Sequence, residues 1–251
     1  MYKDDPKLNQ RSKLTDNIVE IADRLRRAKS SRDPEAALKK WLFDEEDDAA
    51  GLNGFGQHNP CHKQCDGFDT KRVTEKRICH CMFYFNSGLP KECENCKLPF
   101  KWQYTGRMRI TEFEYPTQHV IKGMGGIDLV FDEKYGVEVK PPMKSSKETL
   151  ARMFAEILTY TLDAVNPAAE NHRYLPAICF FENEIDIDRS GHVSVSRKET
   201  EQMKEYGELI HSGDGHVRNA MQYLRSQVKV FYFKTVYAST HKIMCFDIKP
   251  I

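Results

Sequence analysis

The sequence predicts an α/β fold: a mixed central sheet flanked by helices, preceded by N-terminal helices and a Cys-rich insertion. Three observations carry this. The short apolar runs GGIDLVF, YGVEVK, YLPAICFFEN, VKVFYFKTVYA and KIMCFDIKP, each bounded by turn or charged residues, read as strands. The segment 147–165, KETLARMFAEILTYTLDAV, spaces Leu150, Met153, Phe154, Ile157, Leu158 and Leu162 as one broad helical stripe among those strands. Six of the eight cysteines fall between Cys61 and Cys96, ahead of the alternating region.

The elements follow in order. Residues 14–28 (LTDNIVEIADRLRRA) place Ile18, Ile21 and Leu25 on one helical face, with Thr15 or Asp16 as the cap. A second helix, PEAALKKWLFDEED, starts with Pro34 in its first turn, where the missing N–H costs nothing. The tract DEEDDAAGLNGFGQHNP breaks the periodicity and reads as a connection. The chain thus divides into an N-terminal helical region (1–50), a Cys/His-rich module (51–105) and an α/β core (106–251). In the core, MRITEFEYPTQHVI is a strand before GGIDLVF, and a polar helix lies around SRKETEQMKEYGELIH. The run from Asp186 to Gly191 begins like a calcium loop but has Arg197 where a bidentate Glu is needed, so it reads as a polar turn. His211 and His216 flank a flexible, solvated SGDG loop.

Charge and length narrow the function classes. The 251 residues carry 38 Lys and Arg against 37 Asp and Glu, a net charge of +1. That argues against coating nucleic acid by bulk electrostatics, while leaving room for a basic groove beside an acidic site. No stretch approaches the ~20 apolar residues that span a bilayer. The charged start MYKDDPKLNQRSK has no apolar signal region, so an intracellular protein without membrane association is expected. No phosphate-binding G-x-x-x-x-G-K-[ST] loop is present, which speaks against an ATP-driven motor.

Chemistry concentrates in GGIDLVFDEKYGVEVKPP, where Asp128, Glu138 and Lys140 interrupt two apolar runs. If 129–131 and 137–139 form an antiparallel hairpin with Phe131 facing Val137, Asp128 lies nearly opposite Lys140 and shares a face with Glu138. Two carboxylates and an ammonium then converge. Asp128 and Glu138, with the backbone carbonyl of Val139, suit Mg²⁺ or Mn²⁺, and Lys140 can orient or deprotonate water or neutralise charge. A surface hairpin with a Glu–Lys pair is the plain alternative.

Asp128 followed by Glu138-Val139-Lys140 resembles the PD-(D/E)xK phosphodiesterase superfamily. Gly126-Ile127-Asp128 is most similar to its RecB-like exonuclease branch. The resemblance implies a restriction-endonuclease-like core and a divalent-metal-dependent nuclease, endo or exo, acting on DNA ahead of RNA. The branch's Gln-x-x-x-Tyr motif is matched by Glu156 to Tyr160, with Glu156 as an extra ligand or substrate-positioning group. The family's upstream acid falls on Glu112, Glu114 or Glu20. The rival reading is a non-catalytic, zinc-containing nucleic-acid-binding or adaptor protein on a degenerate nuclease fold. Oligomeric state stays open.

The cysteine spacings are Cys61-x3-Cys65, Cys79-x-Cys81 and Cys93-x2-Cys96, with His58, His62 and His80 interleaved. Such clusters in an intracellular chain read as zinc ligands rather than disulfides. Cys79, Cys81, Cys93 and Cys96 are favoured as one structural Zn²⁺ site, with Cys61 and Cys65 plus His58 or His62 as a second. An iron–sulfur cluster, which RecB-like nucleases can carry, is the alternative, but there the cysteines mostly follow the catalytic helix. Basic residues (Lys71, Arg72, Lys76, Arg77, then Lys97, Lys101, Arg107, Arg109) give this region a local basic character suited to gripping nucleic acid. Its aromatics (Phe83, Tyr84, Phe85, Trp102, Tyr104) read first as the module's own small core, with stacking on bases as the alternative.

Overall fold

Local sequence signals start most of the helices. In the computed structural model, Asn17 caps α1 (Ile18–Lys29) by accepting a hydrogen bond from the Val19 amide at 2.9 Å. The side chain of Asp33 accepts from the Ala36 amide at 3.1 Å, opening α2 (Pro34–Leu42). The structure describes residues 17–42, 75–86, 101–104, 107–115, 117, 126–142, 149–187, 193–238 and 243–251. The predicted caps Thr15 and Asp16 lie outside them.

The helix α3 (Glu75–Asn86) comes next, then β1 (Lys101–Tyr104), β2 (Ile110–Tyr115), β3 (Ile127–Phe131) and β4 (Tyr135–Val139). The helix α4 (Leu150–Asp163) is capped by Thr149, which accepts from the Arg152 amide at 3.3 Å, and β5 (Leu175–Phe181) follows. The remaining elements are β6 (Asn183–Ile187), β7 (Val193–Glu199), α5 (Glu201–Ile210), α6 (Gly215–Gln227), β8 (Lys229–Ala238) and β9 (Ile243–Pro250).

Seven strands form a mixed sheet in the order β1-β9-β8-β5-β4-β3-β2. Its centre is parallel, β4 with β5 and β5 with β8, and antiparallel pairs flank it. Continuous apolar composition along β5 reflects burial on both faces: Cys179 and Phe181 join one cluster, Ile178 and Phe180 the other. The first cluster packs under α3 and the β6–β7 hairpin, and the second under α1, α4, α5 and α6. The mixed α/β architecture follows the sequence expectation. Among the described residues no helix is long and apolar enough to cross a membrane.

Two segments differ from the sequence reading. Where a polar turn and the start of a polar helix are expected, β6 and β7 form a separate antiparallel pair, and the helix begins only at Glu201, capped by Thr200. Ile185 and Val195 supply the reason, since both pack onto the first core cluster and so draw a polar hairpin onto the sheet. The Ile185 amide also donates to the Pro142 carbonyl at 3.1 Å, which ties this hairpin to the chain just past Lys140. His216 lies on α6 rather than in a loop, because the Asp214 side chain accepts from its amide at 2.8 Å and starts that helix.

Two glycines let elements approach closely. A Cβ on Gly126 would lie 2.4 Å from the Tyr115 carbonyl oxygen, so only glycine allows β3 to begin this close to β2. A Cβ on Gly136 would lie 2.8 Å from Ile127 Cδ1 and 2.9 Å from Thr161 Cγ2, between β4 and α4. Gly136→Ala is therefore expected to destabilise the fold by about 1–3 kcal/mol, from overpacking at a buried site. Thermal unfolding checks this as a drop of about 2–4 °C per kcal/mol in melting temperature.

Candidate metal centre

The hairpin that carries the site is tighter than the sequence reading. Asp132 and Glu133 adopt left-handed backbone (φ 52° and 57°) and turn the chain over three residues, so Phe131 faces Tyr135 rather than Val137. The turn is held from outside. Asp132 accepts from the Arg109 amide at 2.7 Å, and the Glu133 amide donates to Thr111 Oγ1 at 3.1 Å. Leu129 consequently pairs with Val137, and continuing that register by one residue sets Asp128 against Glu138, not Lys140. The two carboxylates are brought together more directly than predicted. Asp128 Oδ2 is fixed by the Val139 amide, which donates to it at 2.8 Å.

Alternation then aims Glu138 away from Val137 and Val139, which belong to the core on the α3 side. Glu138 and Lys140 are only 4 % and 3 % exposed, a costly placement for charges unless they are matched. The Lys140 Nζ lies 2.5 Å from Glu138 Oε1, 3.4 Å from Glu75 Oε2 and 3.6 Å from Glu156 Oε2. Glu75 comes from the first turn of α3, on one face of the sheet, and Glu156 from α4, on the other. The site therefore sits where β4 ends and β3 begins, gripped by a helix from each side.

The sequence reading missed Glu75. Among the described residues, Glu75, Asp128 and Glu138 form a group whose ligand atoms all lie within 4.8 Å of one another. The candidates named for an upstream acid are occupied elsewhere. Glu20 pairs with Arg24 at 2.5 Å, and Glu114 lies 3.2 Å from the buried His80 ring. Glu112 is registered against Val130 of β3. One signal was available in the sequence: Glu75, Ile78 and Met82 share a helical face in the run EKRICHCMF, which marks a helix with an acid at its start.

Electrostatics show why this cluster suits a cation. Burial, reinforced by the Glu75 carboxylate, pushes Asp128 well above the usual carboxylate range, against the opposing pull of Lys140 and the Val139 amide. Burial and the neighbouring Asp128 do the same to Glu138. Burial works against the charge on Lys140, but Glu138, Glu75, Asp128 and Glu156 outweigh it and hold the ammonium well above the usual lysine range. Among the described residues Lys140 and Arg152 face these carboxylates, with Arg152 Nε 3.0 Å from Glu156 Oε1. Glu156 Oε2 is buried without a hydrogen-bond partner. Three converging hard oxygen donors, two of them acids whose charged form is disfavoured by burial, could hold a divalent cation of the hard, oxygen-seeking kind.

The cysteine block is seen only in part. Cys61, Cys65, Cys93 and Cys96, with His58 and His62, lie outside the described residues. Cys79 and Cys81 stand on α3, both buried in the core cluster beneath it. Residues two apart on a helix do not face each other, and the ligands expected alongside them, Cys93 and Cys96, lie outside the described residues. Burial raises the Cys79 thiol well above its ordinary range, and the nearby Asp128, Glu75, Glu138 and Glu114 add to the effect. Val139 contributes its amide to Asp128, while the first core cluster holds its side chain. No family model matches the chain, and comparisons with curated proteins and with solved structures give no match.

Proposed function

We propose that the chain is a divalent-metal-dependent phosphodiesterase, a nuclease acting on DNA ahead of RNA, built on a restriction-endonuclease-like core. The observation that carries this is the convergence of the Glu75, Asp128 and Glu138 ligand atoms within 4.8 Å, beside a buried lysine, on an Asp…Glu-x-Lys hairpin. Glu75, Asp128 and Glu138 would hold Mg²⁺ or Mn²⁺, with the Val139 carbonyl as a further donor. The bound ion would acidify its water and offset charge on the scissile phosphate.

The protein groups supply position and charge. Asp128 is preset by the Val139 amide, so its second oxygen is oriented before any ligand arrives. Lys140 carries a proton in the free site, which makes it a donor and a positive charge toward the attacked phosphate and its water rather than a base. Glu156 lies within reach of Lys140 and is anchored by Arg152. Zinc belongs to the same reading, on the short-spaced pairs Cys61/Cys65 and Cys93/Cys96, a tetrahedral thiolate set.

The test is cleavage of single- and double-stranded DNA and RNA by the purified full chain, with Mg²⁺, with Mn²⁺ and with chelator. Cleavage is expected with either metal and not with chelator or in Asp128→Ala. Cleavage that persists undiminished in Asp128→Ala refutes the site. Metal binding with no cleavage of any substrate assigns the chain to the non-catalytic nucleic-acid-binding reading. Elemental analysis is expected to find zinc in the purified protein, retained in Asp128→Ala because Asp128 is not among the proposed zinc ligands.

A further inference from the structure

We propose that Glu156 is a positioning residue for Lys140: it receives the lysine ammonium when a divalent cation takes the Glu75–Asp128–Glu138 cluster. Cation entry is then an exchange within the site rather than an addition to it. The inference rests on the reading of that cluster as a metal centre and assigns Glu156 a role other than ligand.

The geometry distinguishes the two roles. The group whose ligand atoms come within 4.8 Å of one another is Glu75, Asp128 and Glu138, without Glu156. The ammonium of Lys140 sits on two of those same carboxylates, 2.5 Å from Glu138 Oε1 and 3.4 Å from Glu75 Oε2. A metal ion and the ammonium would compete for the same oxygens and repel each other at that range. Lysine therefore has to loosen its hold on Glu138 Oε1, and the group that draws it off has to be buried, negative and near. Glu156 Oε2 meets each condition: it is buried, has no hydrogen-bond partner and lies 3.6 Å from the Lys140 Nζ. A shift of under about 1 Å would bring the ammonium into hydrogen-bond range. Arg152 holds the other oxygen of Glu156 at 3.0 Å, so the receiving carboxylate stays in place while the lysine moves. The exchange keeps the ammonium beside the metal, oriented for a phosphate and its water.

Mn²⁺ titration calorimetry on the chelator-stripped full chain tests this. Lys140→Met is expected to bind Mn²⁺ more tightly than the native chain, by about tenfold or more, because a competing cation at a few ångströms is gone. Glu156→Gln is expected to bind it about tenfold more weakly, since the lysine then has nowhere to go and one attracting charge is lost. In the double variant that weakening should shrink severalfold, giving a non-zero double-mutant coupling. Equal weakening in both backgrounds overturns the proposal, as does Lys140→Met binding no more tightly than the native chain. Should Lys140→Met not fold, Lys140→Gln serves for the same comparison. Cleavage measured in parallel separates this from the catalytic reading. Exchange coupling without cleavage leaves the inference standing and removes the nuclease, while metal-dependent cleavage with additive affinities does the reverse.

Discussion

Lys140→Ala is expected to lower DNA cleavage by about 10²–10⁴-fold, the range for removing a positioned proton donor from a reaction centre. The same change should strike the fold. Among the described residues Lys140 is the buried cation set between Glu75, Asp128, Glu138 and Glu156, and its ammonium touches Glu138 at 2.5 Å. Taking it away leaves the buried Glu138 facing Asp128, Glu75 and Glu156 with no ammonium between them. Breaking a buried ionic cluster from one side typically costs about 3–5 kcal/mol. For a chain of this size that corresponds to about 10 °C in melting temperature. The deficit should be largest in chelator at neutral pH and shrink on adding Mg²⁺, which replaces the missing positive charge. Calorimetric melting with and without Mg²⁺ provides the check. A Lys140→Ala protein as stable as the native chain in chelator contradicts the electrostatic account of the site.

Asp128→Asn is expected to lose cleavage to a similar degree and yet gain stability in the metal-free state. Its Oδ1 can still accept from the Val139 amide, so the hydrogen bond at 2.8 Å has a substitute. What disappears is a carboxylate whose charge is disfavoured by burial and by Glu75. The sign follows from proton linkage. A carboxyl held above its unfolded value, about 4 for Asp, binds more protons folded than unfolded in that window. Its contribution to stability is fully present below pH ~4 and is lost as pH rises through the raised range. Native and Asp128→Asn chains should therefore melt alike near pH ~4, and the variant should pull ahead toward neutral pH by about 1 kcal/mol or more. Saturating Mg²⁺ should reverse the order, because a ligand at 100 times its Kd stabilises the native chain by about 2.7 kcal/mol. Paired melts across pH, with and without Mg²⁺, measure both halves of this claim.

Much of the sheet was legible because its strands are short apolar runs and β5 is apolar on both faces, which only a buried strand tolerates. Asp128, Glu138, Lys140 and Glu156 could be read for a related reason. The first three sit on one hairpin and Glu156 on the next helix, so side-chain alternation and order along the chain bring them together. The register was missed by two residues because Asp132 and Glu133 enter the left-handed region without glycine, supported by Arg109 and Thr111, which sequence does not tie to the turn. Glu75 was missed because it is 53 residues from Asp128 and reaches it only through the docking of α3 on the sheet. The run ICHCMF was read for its thiols alone, and the burial of Ile78, Cys79, Cys81 and Met82 shows that it also packs as a core helix. Ile185 and Val195 escaped notice because two apolar residues in a polar segment carry no periodicity.

The origin of Glu75 on α3 has a consequence for how the chain becomes competent. The hairpin alone offers two acids and a lysine; the third acid arrives only when a helix from far upstream has settled on the sheet. Without α3 the cage would lack its third acid, and the sheet face under Ile78 and Met82 would lose its cover. Ion capture would thereby report that distant parts of the polypeptide have met.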